Sequence, residues 1–263
     1  MVFPISDDNS DRRTFPYVNI TLIAINVLVF VFLQGLGENH KFTYAFSTVP
    51  YEIVTGHDVE TPPQRYEHPV TGERYTAPGL EKTPFSVYLT LLTSLFMHGS
   101  IMHIAGNMWF LWIFGDNVED HLGHGLYVIF YLLSGLLASL AHVCATVLIY
   151  GADSSEAMVP SLGASGAISG VLGGYVLLFP NRPVRVILFR LLTDVPAWVA
   201  IGIWFGFQVV SGLPMLGGQD TGGVAYAAHV GGFVGGVALM VPFAFVRPPP
   251  PPTQGRVPWH ERY

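Results

Sequence analysis

Residues Ala157–Asn181 read AMVPSLGASGAISGVLGGYVLLFPN, a run with no Asp, Glu, Lys or Arg. As a helix it is long enough to cross a bilayer, whose hydrocarbon core takes ~20 apolar residues at 1.5 Å rise each. Gly166, Gly170 and Gly174 recur every fourth position, and Ser165 stands just ahead of them. Small residues at that spacing let two helix backbones approach closely in lipid. This segment is therefore expected to be a membrane helix packed hard against another, with a hydroxyl near its beginning.

Five further runs lack charge: Thr14–Gly37, Thr83–Gly115, His121–Ala152, Val195–Gln219 and Thr221–Val246. The second is too long for one span, so its membrane helix is placed from about Ile101 to Gly115, after a half-immersed approach. No ten-residue alternating pattern appears, which excludes a transmembrane barrel. The expected fold is an all-α integral membrane protein, a six-helix bundle over residues 14–246. It carries a long first loop, about 38–100, whose internal fold is not readable. Residues 1–13 and the proline-rich tail 247–263, with Pro248–Pro252 in a row, flank the bundle. Asp116, Glu119 and Asp120 are read as the loop between the second and third spans.

Composition agrees with lipid as the solvent. Only 11% of the residues are charged while 51% are apolar, and the mean hydropathy is +0.45. A globular domain carries about a quarter charged residues for its wet surface. A net charge of −6 excludes the basic face that nucleic acid requires. The single cysteine, Cys144, can form neither an intramolecular disulfide nor a cysteine metal cluster. The acidic start, with Asp7, Asp8 and Asp11, does not resemble a cleaved signal peptide.

Basic residues set the direction. Arg12, Arg13, Arg182, Arg185, Arg190, Arg247, Arg256 and Arg262 all fall in segments that six spans place on one side. Both termini are accordingly expected in the cytoplasm, in a plasma (inner) membrane. Spans two, four and six then all begin on the opposite side.

That direction brings three polar motifs to one depth. They are His103 with Asn107 in the second span, Ser165 in the fourth and His229 in the sixth. Ionisable and polar groups in lipid are expensive and point to function. A serine hydroxyl becomes a nucleophile when a base takes its proton, and His229 is suited to be that base. His103 and Asn107, four apart on one helix face, can offer two donors to an oxyanion. No carboxylate lies at this depth, so a dyad is expected rather than a triad. Gly232 and Gly236 follow His229 on its own face, matching the glycines behind Ser165. His98, His121 and His124 are taken as solvated residues at span ends. Zinc at His98 and His103 is set aside, because five-residue spacing puts them on different faces.

With these residues the sequence resembles the rhomboid intramembrane proteases. Gly163-Ala164-Ser165-Gly166, the Ala228-His229 pair and His103…Asn107 match that family's motifs in order, and similarity extends from about Leu91 to Phe245, including Gly115–Asp120. The resemblance implies an intramembrane serine endopeptidase that cleaves single-span membrane proteins, with Ser165 as nucleophile and His229 as general base. It implies His103, Asn107 and the Ser165 amide around the oxyanion, and neither cofactor nor metal. The partners implied are transmembrane substrates and the bilayer, and no oligomeric state follows. The fifth span, with Trp198, Trp204, Phe205 and Phe207, and the loop after it would correspond to a lateral gate. Two features depart from the pattern: the first loop has no Trp-Arg pair, and Ser169 stands where some members place an aromatic against the histidine. An inactive client-binding relative would lack the serine or the histidine. A channel would spread its polar groups through the full thickness.

Overall fold

The computed structural model describes residues 2–67, 74–188, 191–217 and 225–246. The tail with Pro248–Pro252, Asp220 and the rest of the connection before the last helix, and Arg190 lie outside the described residues. Strand β1 (Val2–Asp7) leads into helix α1 (Tyr17–Leu33), whose final turn widens into a π-helix. Short helices α2 (His40–Ala45) and α3 (Pro50–Thr55) and the hairpin β2 (Gln64–Glu67)–β3 (Arg74–Ala77) fill the first loop. A helical stretch α4 (Val87–Phe96) then meets α5 (Ile101–Leu122) at 79°. Helices α6 (His124–Tyr150) and α7 (Ser165–Leu178) follow, then strands β4 (Pro183–Leu188) and β5 (Leu191–Pro196), and finally α8 (Ala197–Leu216) and α9 (Tyr226–Val246).

Among the described residues, α6, α8 and α9 are each long and apolar enough to cross a membrane, and the bent pair α4–α5 passes the same test jointly. Helices α1 and α7 are apolar but shorter. The protein is thus mostly helical and membrane-type. The all-α expectation needs correcting, however: β1, β4 and β5 form a three-stranded antiparallel sheet. The segment before Tyr17 is therefore not a loose tail. Arg185 and Asp194, opposite each other on β4 and β5, are ion-paired at 3.0 Å. Arg182 binds Asp11 at 2.9 Å and also bonds Asn117, locking the amino-terminal segment to the ends of α5 and α7.

A second correction concerns Asp116, Glu119 and Asp120. They are helical, in the last turns of α5, which runs on to Leu122 and passes to α6 through Gly123 alone, at φ +77°. Each acid has a partner that makes its place in the bundle tolerable. The Glu119 carboxylate accepts from the backbone N–H groups of Val18 (2.9 Å) and Asn19 (2.7 Å), the unpaired donors at the start of α1. Asp116 pairs with Arg12 at 2.6 Å, and Asp120 accepts from the Thr14 amide and hydroxyl at 2.6 and 2.7 Å. Gly115 keeps this joint closed, since a Cβ there would fall 2.1 Å from Asn19 Oδ1.

Packing is densest where α7 lies among its neighbours. A Cβ on Gly232 would come 2.2 Å from the Gly166 carbonyl oxygen, and one on Gly236 the same distance from that of Gly170. On the other side, Gly166 and Gly170 face Ala138 and Ser134 of α6, at 2.6 and 2.4 Å from their would-be Cβ atoms. Both glycine stripes of the sequence are therefore occupied by helix contacts, and α9 touches α7 through backbone. Helix α8 is different: only Ala197, Ala200, Ile201 and Gln208 are buried along its length.

Candidate active site

Ser165 is the first residue of α7, so its backbone N–H belongs to the unpaired donors of a helix start. The turn before it is set by Gly163, at φ +123°, whose N–H donates to the Ser94 carbonyl at 2.9 Å. Only glycine suits that place, because a Cβ would also fall 2.8 Å from His103 Nε2. Upstream, Ser161 bridges to Thr48, and the Thr48 hydroxyl contacts Ser94 at 3.0 Å. The first loop thereby holds the approach to Ser165.

His229 enters from the first turn of α9, and its Nε2 lies 2.8 Å from Ser165 Oγ. The glycine contacts of α7 and α9 begin one and three residues beyond this pair, which explains how two short side chains can meet. His103 is held by the start of α5, where the Ser100 hydroxyl accepts from the His103 amide at 3.1 Å. The Gly99 N–H reaches His103 Nδ1 at 3.4 Å, making Nδ1 an acceptor and leaving the proton on Nε2, the atom that faces Gly163. Asn107, buried, has an Nδ2 without a hydrogen-bond partner. Two donors thus stand uncommitted in the cavity that Ser165 also lines. All four residues, with Trp204 and Gln208, line one cavity of about 790 Å³.

Several residues escaped the sequence reading. Gln208 of α8 places Oε1 2.8 Å from His229 Nδ1. It is the amide in the interior of the charge-free run Val195–Gln219, whose other amide, Gln219, stands at the run's end, and its polarity there was the available signal. His142 of α6 lines the cavity wall, with Nδ1 unpartnered. Ser169 donates to the Ser165 carbonyl at 2.6 Å, a local helix bond. The His229 ring is instead flanked by Trp204 and Tyr226, each 6.3 Å between centroids. His98 is not a solvated end residue: it is fully buried, against Phe30 and 5.1 Å from the His103 ring. The face argument failed there because His98 precedes the helix. No group of three His, Cys, Asp or Glu suited to a metal occurs among the described residues.

The Rhomboid domain model matches residues 86–244, which include α4 through nearly all of α9 and every residue of the cavity cluster named above. The chain belongs to the rhomboid family. Curated relatives agree. Rhomboid protein 1, mitochondrial, of Saccharomyces cerevisiae is 33% identical over 159 residues, 60% of this chain and 42% of that one. Rhomboid protease GluP of Bacillus subtilis is 32% identical over 148 residues, 56% and 24% of the two chains. Presenilin-associated rhomboid-like protein, mitochondrial, of Mus musculus is 30% identical over 156 residues, 56% and 36%. The chain spans less than half the length of these relatives. The rhomboid match begins at Ser86, close to the Leu91 expected, and leaves α1 and most of the first loop outside it.

Proposed function

We propose that this rhomboid-family chain is an intramembrane serine endopeptidase that cleaves single-span membrane proteins in or near their transmembrane helix. The 2.8 Å contact between Ser165 Oγ and His229 Nε2, inside a cavity of about 790 Å³, carries the reading. His229 takes the Ser165 proton as the oxygen attacks the scissile carbonyl, and returns it to the leaving amine. The developing oxyanion receives hydrogen bonds from His103 Nε2–H, Asn107 Nδ2–H and the Ser165 amide. Water entering the cavity then hydrolyses the acyl-enzyme. The Bacillus relative is named a rhomboid protease, which supports the same chemistry.

In this reading α1, α5, α6, α7, α8 and α9 are six spans, with both termini on the cytoplasmic side and the cavity open to the other. The short α7 fits. Its 14 residues rise about 21 Å, less than the ~30 Å hydrocarbon core, so a helix starting at Ser165 leaves room above it for water. A plasma (inner) membrane is proposed. The mitochondrial names of two relatives make an inner mitochondrial membrane the alternative, and fractionation of the source cell separates the two.

The test is cleavage of a single-span substrate by the purified protein in lipid vesicles. Ser165→Ala and His229→Ala should each reduce kcat by ~10⁴ or more, with the double variant no worse, because such groups act as a unit. Retention of most activity by Ser165→Ala would sink the protease reading.

A further inference from the structure

Gln208 is out of place on α8. The helix turns Trp198, Ile203, Phe207 and Val210 outward, each at least half exposed, whereas Gln208 is buried. Its Oε1 stands 2.8 Å from His229 Nδ1, on the far side of the ring from Ser165. A neutral imidazole carries one N–H, and which nitrogen bears it is set by the partner of the other. With the proton on Nε2, His229 would have nothing to accept from Ser165. An oxygen acceptor at Nδ1 draws the proton there and leaves the Nε2 lone pair toward the hydroxyl.

We propose that Gln208 is the positioning residue of the dyad: through its amide oxygen it holds His229 in the Nδ1–H tautomer and fixes the ring against Ser165. This rests on the dyad reading above and adds a third, neutral member supplied by α8. As Nε2 gains the serine proton, the Nδ1–H bond to Gln208 strengthens, so the amide also favours the imidazolium formed during attack. A carboxylate would do so more strongly, but it would bring an unpaired charge into the bundle. The amide gives the orientation without that charge.

The experiment compares Gln208→Leu and Gln208→Glu with the unaltered protein in vesicles, using a single-span substrate across pH and the rate of labelling by a fluorophosphonate. Among the described residues around the cavity, the other titratable side chains are His103 of α5, His142 and Tyr150 of α6, Tyr226 of α9 and Glu156 of the α6–α7 connection, and neither variant alters them. Gln208→Leu, which keeps bulk and loses the acceptor, should lower kcat and labelling rate by about 10²-fold with KM little changed. Gln208→Glu retains an acceptor and should recover most of that loss. Its charge favours the imidazolium, so the acid limb of kcat/KM should move up by about 1 pH unit.

A role in packing alone would move rates with folding and leave the pH limb where it was. Leu at the unaltered rate, an unmoved limb in the Glu variant, or folded Glu as impaired as Leu would each overturn the proposal. Should the Leu variant fail to fold, the shift in the near-isosteric Glu variant decides alone. The Ser165→Ala control separates the two readings. If it still cleaves, the dyad itself is wrong; if it is inactive while Gln208→Leu is normal, only the role of Gln208 falls.

Discussion

Helices α7 and α8 are neighbours in the chain, joined by one β-hairpin, yet they are held in opposite ways. Helix α7 is buried along most of its length and meets α9 with glycine against backbone oxygen. Helix α8 is anchored at its first turn by Ala197, Ala200 and Ile201, beside the sheet, and beyond that buries only Gln208. Close-packed interiors resist displacement because every atom already has neighbours at contact distance. A helix with one buried face residue per several turns has no such restraint. The bundle thus keeps Ser165 and His229 on a rigid pair, and leaves the group that faces the far nitrogen of His229 to a looser element.

The contrast breaks most visibly at the seam. Gly236→Val puts side-chain atoms where a Cβ alone would sit 2.2 Å from the Gly170 oxygen, against backbone that cannot rotate away. Overpacking of this kind costs about 3 kcal/mol. The variant should melt well below the unaltered protein in detergent and lose cleavage, and an unchanged melting temperature would show that α7 and α9 are not in contact as described.

Next in size is the pair His103 and Asn107 on α5, the oxyanion donors of the proposed mechanism. His103→Ala should slow turnover by ~10²–10³ while leaving the melting temperature near its starting value, as loss of one donor does elsewhere. Asn107→Ala should be milder, since water can reach a cavity of this size. Normal kinetics in the double variant would reduce both residues to helix glue.

A smaller effect is expected at the sheet end that anchors α8. Asp7 closes β1, accepting from the Tyr175 hydroxyl at 2.6 Å and Asn117 Nδ2 at 2.7 Å. Burial first, and the Asp116 carboxylate second, raise it from 3.8 to about 7, against the pull of Tyr175, Arg182 and Asn117. The folded protein therefore holds a proton that the unfolded chain has released between about pH 4 and 7, and stability falls as pH rises through that window. Asp7→Asn should flatten this part of the melting-temperature profile. A profile identical to that of the unaltered protein would assign the dependence to another group.

The smallest effect sharpens the comparison from the other side. Gly202 and Gly206 of α8 have open space where a Cβ would go. Alanine at either should change stability by less than about 1 kcal/mol, toward greater stability if at all, because helix propensity then acts alone. A loss like that at Gly236 would mean α8 has a partner along this face.

The helical parts of this fold were legible because lipid excludes charge, and uncharged runs mark themselves. The meeting of His103, Ser165 and His229 was expected from direction and depth, and the three do line one cavity. What sequence left hidden depended on partners far along the chain. The β1 strand reads as a tail until Val184 and Ile187, some 180 positions on, supply its pairing. Glu119 reads as a loop acid because the amides that satisfy it belong to Val18 and Asn19. Gln208 has the same character: nothing in its neighbourhood names His229, and only the assembled helices do.

The glycine seam has a consequence for life in a fluctuating solvent. Lipid thickness, fluidity and lateral pressure reach a membrane protein through its outward side chains, which tilt and repack as the bilayer changes. Between Gly166 and Gly232, and again between Gly170 and Gly236, no side chain intervenes to transmit such movement. The spacing of the two helix backbones that carry Ser165 and His229 is set there by the contact radii of backbone atoms, which do not vary with temperature or acyl composition. The protein therefore carries its own rigid gauge block inside a soft medium, one that lipids can surround without resetting.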